Sequence, residues 1–430
     1  MPFSRTDAER QGLAQRRRLS RSDLAKLAKR KFDPIEVLRE GRKGRIPKLL
    51  PIKFKLMSSS PFVFYRGAVE IMAADLAAGQ HTGIEAQLCG DAHVKNFGFF
   101  ATPGSDIVLD INDFDETVRG PWEWDVKRMA TSIVLAGRDA GDKESRCRDA
   151  ALEFTEEYCD WMQRFASMPS LEIARHRITR NYRDPVMRSA LEKAERSSPT
   201  LNLQKLTKET KKGRRFRFQP KALWEVEGKT AKAVVAALKS YRQTLSPDHQ
   251  FLFDRYQAAD VGFKVVGTGS VGTYDYVVLL FGRDENDPLF LQVKEEPLSH
   301  YAPYLKDPAA PSHQGERVVR GQRLLQVLSD LLLGWCSVDG RDYLVRQLND
   351  HKSSIEPEEL RGERLIEYGS VCAELLAKGH ARSGYPTMLA SYLGKSGKAA
   401  ASLHDFAVKY ADQAEADYEQ FKKAWKRGLL

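Results

Sequence analysis

The sequence predicts an α+β protein made of a larger helical lobe and a smaller antiparallel β lobe. Apolar residues recur at helical spacing through much of residues 60–166, which is typical of amphipathic helices. Residues 263–296 are instead rich in Val, Tyr and Phe, with turn residues between three runs, which is typical of an antiparallel meander. At 430 residues and 42% hydrophobic, the chain is long enough for one large two-lobed domain or two ordinary ones.

The individual elements are predicted from local signals. Ser60 and Pro61 mark the start of a helix that we expect to end near Gly79, because Ser caps helices and Pro suits their first position. Residues 84–91 and 106–116 each predict a short strand that runs into a polar turn. The further predicted helices are residues 122–141, 148–166, 315–335, 365–381 and 402–426, and a further strand is residues 342–348.

These patterns divide the chain into four segments. A basic arm, residues 1–59, precedes a helical lobe with two polar loops, residues 60–260. A β-rich lobe follows over residues 261–350, and the C-terminal helices, residues 351–430, are expected to complete the helical lobe.

The net charge of +10 is concentrated in the arm. Residues 1–60 hold 17 Lys and Arg against 6 Asp and Glu, so the other residues are close to neutral. Such an arm can bind the phosphates of a nucleic acid or an anionic membrane, or it can stay solvated or dock on its own protein. A second basic cluster, residues 208–221, alternates Arg and Phe like a half-buried strand, which favours a structural role.

The cysteines and the apolar runs indicate a cytoplasmic protein. Five cysteines lie far apart without a C-x-x-C pair, which suggests neither a disulfide framework nor a cysteine zinc site. No apolar run approaches the roughly 18 residues that a membrane span needs. The first residues also lack the apolar core of a signal peptide.

The stretch CGDAHVKNFG, residues 89–98, places several chemically capable side chains in one turn. Phosphoryl transfer needs a base for the acceptor hydroxyl, metal ligands and a cradle for the nucleotide. Asp91 has the type and place for the base, and Asn96 can give an amide oxygen to Mg²⁺, which prefers oxygen ligands. The alternative is that both residues only form a turn by bonding their own backbone.

A second acidic turn, DINDFDE at residues 110–116, follows the next predicted strand. Asp113 and Asp115 in this turn are candidate metal ligands. Because a strand, a loop and another strand bring these loops to the same end of a sheet, we expect both side chains to lie near Asp91. The alternative is that they are solvated loop charges. The turn also contains Asp110 and Glu116.

The cradle is predicted in GTGSVG, residues 267–272. Its candidate nucleotide-binding residues are Gly267, Thr268, Gly269, Ser270 and Gly272. A dinucleotide-binding turn would run from a strand into a helix, whereas residues 274–281 here continue as a strand. A β-hairpin flap over phosphates is therefore favoured, and an ordinary Gly-rich hairpin is the alternative.

A lysine on the third strand completes the candidate nucleotide site. Lys294 can reach phosphates from an apolar surface, although a strand-end lysine can also be simply solvated. Glu316 on the next helix is our candidate to pair with it, and Glu295 and Glu296 lie closer in sequence.

At these residues the sequence resembles the protein-kinase-like fold, and more closely its small-molecule branch, the aminoglycoside and choline phosphotransferases. GDAHVKN is similar to that branch's G-D-x-H-x-x-N catalytic loop, and INDFD is similar to its metal-binding I-D-F-x element. The resemblance implies that Asp91 is the catalytic base, that His93 shapes the catalytic loop, and that Asn96 and Asp113 are metal ligands.

Two further blocks extend this resemblance. WEWDVKRMA is similar to the helix start that follows the metal-binding element, which implies that Asp125 holds the catalytic loop. GTGSVG and Lys294 match the flap and its lysine. From about residue 60 onward the chain also resembles a bacterial family known as a domain of unknown function, which has the same SPF.F.RG, GDAH..NFG, NDFDE..GPWEWD and GTGS.G blocks.

The chain departs from the kinase-like pattern in two ways. Cys89 stands where the branch usually has His before Gly-Asp, which puts the support of the loop in doubt. The order is also inverted, because the flap and its lysine follow the catalytic loop instead of preceding it. We therefore predict a circular permutation of a bilobal protein-kinase-like fold, which is physically permissible where the original chain ends lie close together.

The resulting functional prediction is an ATP- and Mg²⁺-dependent phosphotransferase that acts on a small hydroxylated acceptor. One alternative is nucleotidyl transfer by the same fold. Another is a non-catalytic nucleotide-binding protein whose basic arm contacts nucleic acid or acidic lipid. A metal hydrolase needs more His than the chain concentrates near these loops, where only His81 and His93 lie.

Overall fold

The chain forms an α+β protein with antiparallel sheets, as the hydrophobic patterns predict. The structure, a computed structural model, describes residues 4–102, 106–178, 185–196, 199–211, 213–220, 222–265, 271–348, 353–395 and 397–430. Within these ranges the helices are α1 Arg5–Arg18, α2 Pro34–Glu40, α3 Leu50–Met57, α4 Pro61–Gly67, α5 Val69–Ala78, α6 Glu123–Asp139, α7 Glu144–Ser167, α8 Ser170–Arg175, α9 Pro185–Arg196, α10 Pro199–Leu206, α11 Gly228–Arg242, α12 Pro247–Phe253, α13 Gln314–Leu325, α14 Glu363–Ser383, α15 Pro386–Leu393 and α16 Lys398–Lys426. The strands are β1 Glu85–Leu88, β2 Phe97–Ala101, β3 Ile107–Ile111, β4 Val118–Pro121, β5 Thr207–Thr210, β6 Gly213–Phe216, β7 Leu223–Glu225, β8 Gln257–Lys264, β9 Asp275–Phe281, β10 Pro288–Glu295, β11 Gly334–Val338, β12 Arg341–Gln347 and β13 Ser353–Ser354.

The β-rich part is a six-stranded antiparallel sheet in the order β11-β12-β10-β9-β8-β7. Successive side chains of a strand point to opposite faces, and both faces of this sheet are covered. Val278 and Leu280 enter one apolar cluster, whereas Val277 and Leu279 enter another. The predicted meander is therefore present as β8, β9 and β10, and β7, β11 and β12 extend it.

The helix predicted over residues 315–335 is correct only as far as Leu325, where α13 ends. Beyond it, the Asp330 carboxylate accepts hydrogen bonds from the backbone N–H of Leu332 at 2.8 Å and of Gln347 at 2.6 Å. These contacts draw the chain towards β12, so that β11 pairs with β12 in place of a longer helix.

The helical part is built around α6, which is buried along almost its whole length. Helix α7 packs on α6 and α14, and the C-terminal helix α16 packs on α6 and α7. Trp122, just before α6, stacks on Tyr158 of α7 with ring centroids 5.6 Å apart. The C-terminal helices α14 and α16 therefore share one core with α6 and α7. Within the described ranges, no helix combines the length and the apolar character that crossing a membrane requires.

The helix predicted over residues 60–79 is interrupted. Ser60 does cap it, accepting a hydrogen bond from the backbone N–H of Val63 at 3.2 Å. The chain leaves helical geometry at Ala68 (φ −126°, ψ 44°), which separates α4 from α5. This break lies next to Arg66 and Gly67, which line the cleft described below.

The N-terminal arm is part of the fold. Arg16 Nε donates to the carbonyl oxygen of Tyr392 at 2.8 Å, and Arg21 Nη1 donates to that of Leu393 at 2.9 Å. These carbonyls end helix α15, where a cation is favoured by the helix dipole. Arg30 bridges Asp75 on α5 and Asp417 on α16. These arginines are used inside the protein, which weighs against an arm reserved for nucleic acid or lipid.

Replacing Arg30 should reveal this role of the arm. Arg30→Met leaves the carboxylates of Asp75 and Asp417, whose side chains are 12% and 2% exposed, without their shared cation. Breaking a buried ion pair on one side costs about 3–5 kcal/mol. We expect a loss of that size in the free energy of unfolding, measured by denaturant titration.

The control is Arg10→Met, which removes the exposed Arg10–Asp7 pair. Exposed pairs contribute about 0–1 kcal/mol, so this variant should stay close to the wild type. Equal effects of the two substitutions would contradict an integral arm.

Candidate functional site

The two polar loops predicted from the sequence meet in the structure, and Asn96 joins them. Its Nδ2 donates to the backbone carbonyls of Asp91 and Asp113, both at 3.0 Å, and its Oδ1 accepts from the backbone N–H of Asp113 at 2.7 Å. The side chain is buried, with 2% exposed. In this conformation Asn96 positions both loops, and its oxygen keeps one lone pair beyond the Asp113 amide.

Asp91, the carboxylate predicted to act as the base, faces a buried arginine that sequence reasoning missed. Arg128 Nε and Nη2 donate to Asp91 Oδ1 at 2.8 and 2.5 Å, and His93 Nε2 lies 3.5 Å from Asp91 Oδ2. Burial alone raises the pKa of Asp91, but Arg128 and then His93 outweigh it and hold the pKa below its usual range. Asp91 is therefore an ionised carboxylate with a fixed orientation. The sequence contained one indication of Arg128. It follows Asp125 by about one helical turn, and side chains at that spacing are neighbours on a helix.

Asp125, on the first turn of α6, holds the backbone of the loop that contains Asp91. Its Oδ2 accepts from the backbone N–H of Cys89 at 2.7 Å, and its Oδ1 accepts from that of Gly90 at 3.0 Å. Gly90 has φ +82°, and a Cβ there would lie 2.2 Å from the carbonyl oxygen of Glu116. Only glycine fits this turn. Burial first, and Asp125 next, raise the pKa of the Cys89 thiol, so Cys89 is a neutral packing residue.

Lys294 reaches the acidic turn from the sheet. It lies on β10, is 3% exposed, and forms ion pairs with Asp115 and, at 3.5 Å, with Asp113 Oδ1. Burial lowers the pKa of Lys294, but Asp113 and Asp115 outweigh it and raise the pKa above its usual range. Burial and the neighbouring Asp113 raise the pKa of Asp115 to about 6. The site therefore holds a buried ammonium between two carboxylates.

The expected partner of Lys294 is corrected. Glu316 forms an ion pair with Arg320 on its own helix, and among the described residues the ion pairs of Lys294 are those with Asp113 and Asp115. After Asp113 and Asp115, the next carboxyl that acts on the charge of Lys294 is Glu296. It is 2% exposed, and in the described part of the chain neither of its carboxyl oxygens has a hydrogen-bond partner. Burial and then Asp115 raise the pKa of Glu296 well above its usual range, which keeps it neutral.

The other acidic residues of the turn are structural. Asp110 Oδ2 accepts from Lys378 Nζ at 2.5 Å, and both side chains are buried. Glu116 accepts from the backbone N–H of His300 at 2.8 Å and from its Nδ1 at 2.7 Å. Burial raises the pKa of Glu116, but His300 outweighs it and lowers the pKa to about 2.

The predicted flap is described only in part, because Gly267, Thr268, Gly269 and Ser270 lie outside the described residues. The strands on either side, β8 and β9, pair antiparallel, so the motif is followed by a strand and not by a helix. Gly272 has φ +100°, and its carbonyl oxygen accepts from the backbone N–H of Ile46 at 2.7 Å. The N-terminal segment therefore holds the last residue of the predicted flap.

These loops border an open cleft of about 560 Å³. Its acidic lining includes Glu70, Asp91, Asp113, Asp115 and Glu116. Its cationic lining includes Arg45, Lys53, Arg66 and His300. Asp113 is open to it, with 45% of the side chain exposed. Sequence reasoning missed the three cations of the N-terminal segment, although Arg66 lies within the SPFVFYRG block.

The donors are hard oxygens of the type that Mg²⁺ prefers. Lys294 lies against Asp113 and Asp115, which indicates that this carboxylate pair accepts positive charge. Within the described ranges, no three His, Cys, Asp or Glu side chains are grouped so as to hold a metal by themselves. Mg²⁺ commonly takes one or two carboxylates and completes its shell with substrate phosphates, so the residues present fit such a cation.

A family model described as "Uncharacterized protein conserved in bacteria (DUF2252)" matches residues 45–424. The chain belongs to this bacterial family. The DUF2252 match begins at Arg45 and includes Asp91, Asp113 and Lys294, so the whole cleft lies inside the family domain. Comparison with curated proteins and with solved structures gave no match.

The Glu116–His300 pair should make the stability of this DUF2252 protein depend on pH. Burial lowers the pKa of His300, but Glu116 outweighs it and raises the pKa above its ordinary value of 6.5. A raised histidine pKa contributes stability that is complete below about pH 6.5 and is lost as the pH rises through the folded-state pKa.

His300→Gln should remove this dependence. Between about pH 6.5 and pH 9, the free energy of unfolding of the wild type should fall more than that of the variant, by about 1 kcal/mol. Urea titrations at several pH values measure it. His249→Gln, beside the exposed Asp248 on α12, is the matched control and should keep the wild-type slope. Parallel curves for wild type and His300→Gln would contradict the pairing.

Proposed function

We propose that this protein is an ATP- and Mg²⁺-dependent phosphotransferase that acts on a small hydroxylated acceptor. One observation carries the proposal. Lys294 from the sheet contacts Asp113, which lies 181 residues earlier, at a cleft that Asp91 also lines. A carboxylate for the acceptor hydroxyl, acidic oxygens for a metal and a cation for phosphates are the parts that phosphoryl transfer requires.

Each part of the site has a role in this proposal. Asp113 and Asp115 would hold Mg²⁺, which supplies charge stabilisation to the phosphates when bound. Lys294 would exchange part of its contact with these carboxylates for contact with phosphate oxygens. Asn96 keeps the metal loop and the catalytic loop in register, and its amide oxygen would be the third candidate ligand.

Asp91 would orient the acceptor hydroxyl and receive its proton. Its lowered pKa makes it a weak base. In the loose transition state of most phosphoryl transfers, however, there is little covalent chemistry for the protein to perform, and positioning contributes more. Arg128 and Asp125 supply that positioning, because one fixes the carboxylate and the other fixes the backbone of its loop.

The fold proposed for this activity is a circularly permuted protein-kinase-like fold. In support, an antiparallel sheet that carries the lysine and a glycine-rich hairpin packs against a helical part that carries both acidic loops. The C-terminal helices α14 and α16 pack with α6 and α7, as a rewired helical lobe requires.

Nucleotide binding is the first test. A ligand that binds only the native state stabilises it by mass action. At 100 times its dissociation constant, Mg·ATP should add about 2.7 kcal/mol to the free energy of unfolding. Thermal denaturation with and without Mg·ATP measures this, with EDTA plus ATP as the control. If low-millimolar Mg·ATP leaves the melting temperature unchanged, the proposal is wrong.

Substitutions separate binding from turnover. Asp91→Asn should keep the Mg·ATP response and lower turnover by about 10²–10⁴-fold, the usual contribution of a general base. Lys294→Met should weaken nucleotide binding by roughly 10–100-fold, because a charge-assisted contact is lost. Asp113→Ala should also weaken nucleotide binding, because it removes a candidate metal ligand. ATP consumption and product mass give the readouts. An added phosphate indicates phosphoryl transfer, and an added AMP indicates nucleotidyl transfer.

Asp248→Asn, on the exposed start of α12, is the matched control and should behave like the wild type. Circular dichroism of each variant checks that loss of activity is not loss of folding. Full turnover by Asp91→Asn would exclude it as the base.

A further inference from the structure

A second group of cations lines the cleft, and it comes from the N-terminal segment and not from the sheet. Arg45 precedes α3, Lys53 lies on α3, and Arg66 lies near the end of α4. Lys294 already supplies the cation expected for a nucleotide. The extra charges therefore exceed what the proposed reaction with a neutral acceptor needs.

The amino group of Lys53 is buried and has no bonded partner among the described residues. Lys53 is 4% exposed and lines the cleft. Among the described residues it makes no hydrogen bond and no ion pair, and its nearest carboxylates, Glu70, Glu116 and Asp91, act on it only at a distance. Burial, and then the nearby Arg45, lower the pKa of Lys53 to about 7.

Arg66 is only partly buried, but its guanidinium also lacks a bonded partner among the described residues. In the described part of the chain its buried Nε has no hydrogen-bond partner, and its guanidinium forms no ion pair. Its guanidinium carbon lies 5.7 Å from the ring centroid of Phe62, a cation–π contact. Burial lowers the pKa of Arg66, and the carboxylates of Asp91, Glu356 and Asp113 partly offset this.

Buried charges without partners are expensive, and proteins keep them chiefly where a ligand completes the pair. The two cations converge on one cleft and face the same open volume. An oxyanion in that volume would accept hydrogen bonds from both, with the planar guanidinium suited to phosphate or carboxylate.

The origin of these cations bears on which substrate they serve. Lys294 comes from the sheet and contacts Asp113 and Asp115, the proposed metal and nucleotide side. Lys53 and Arg66 come from the N-terminal segment and line the cleft together with Asp91, the proposed partner of the acceptor hydroxyl. The nucleotide side therefore already has its cation, and the N-terminal cations are left for the acceptor.

We propose that Lys53 and Arg66, assisted by Arg45, form an oxyanion subsite that binds a phosphate or carboxylate group of the acceptor. The substrate class is then an anionic hydroxyl compound. The identification of the ligand as the acceptor rests on the proposed phosphotransferase function, whereas the anion subsite itself does not.

Thermal denaturation of the full chain tests the subsite, with inorganic phosphate and malonate as probes and sodium chloride at matched ionic strength as the reference. At ten times its dissociation constant, the bound probe should raise the melting temperature by about 2 °C. The increase should persist when saturating Mg·ADP is present, because the two ligands occupy different parts of the cleft. The better probe indicates whether the acceptor group is a phosphate or a carboxylate.

Substitutions assign the response to these residues. Lys53→Met and Arg66→Met should each abolish the response to the anion and keep the response to Mg·ADP. Lys53→Met should also raise the melting temperature without ligand, because it removes an unpaired buried charge. Lys55→Met, at an exposed position on the same helix, is the matched control and should keep both responses.

The outcomes separate the two proposals. If neither probe stabilises the wild type, or if Lys53→Met and Arg66→Met keep the full response, the subsite is overturned. If Mg·ADP abolishes the response to the anion, or if both variants lose the Mg·ADP response, these cations serve the nucleotide and the assignment to the acceptor is overturned. If the anion responses follow the prediction but Mg·ADP has no effect, the anion subsite stands and the phosphotransferase function falls.

Discussion

The contact of Lys294 with Asp113 and Asp115 is the constraint on which the rest of the site depends. A buried ammonium costs several kcal/mol unless carboxylates face it. Lys294 is 3% exposed, whereas the side chains of Asp115 and Asp113 are 22% and 45% exposed, so the buried lysine depends on the acidic turn beside it. This requirement connects the β-rich part to the helical part at the edge of the polar cleft.

Other polar contacts hold the geometry around that pair. Asn96 joins the two loops through three hydrogen bonds, and Asp125 holds the backbone of the Asp91 loop through two more. Arg128 orients Asp91 by a hydrogen bond to its carboxylate. Such networks are rigid when every member is satisfied, which suits a site whose chemistry depends on placing groups within a few tenths of an ångström.

The N-terminal segment has a larger part in the site than its basic composition suggests. Arg16 and Arg21 donate hydrogen bonds to the last carbonyl groups of helix α15, and Arg30 connects α5 to α16. Ile46 supports the predicted flap through its backbone N–H. The segment then adds Lys53 and Arg66 to the cleft. Part of its positive charge is therefore used in structural contacts, and part lines the cleft.

Local patterns in the sequence were enough to predict the α+β class, most of the long helices, the meander and the acidic character of two successive loops, because these follow from local periodicity and turn chemistry. They also indicated Asp91, Asn96, Asp113 and Lys294, since the residue types and spacing resemble a known arrangement. The three-dimensional packing was needed to show that Lys294 pairs with Asp115 and not with Glu316, that the buried Arg128 bonds Asp91, and that Lys53 lines the cleft. The reason is physical: the partner of a buried charge is set by which distant segments share its low-dielectric surroundings, and local spacing carries no information about them.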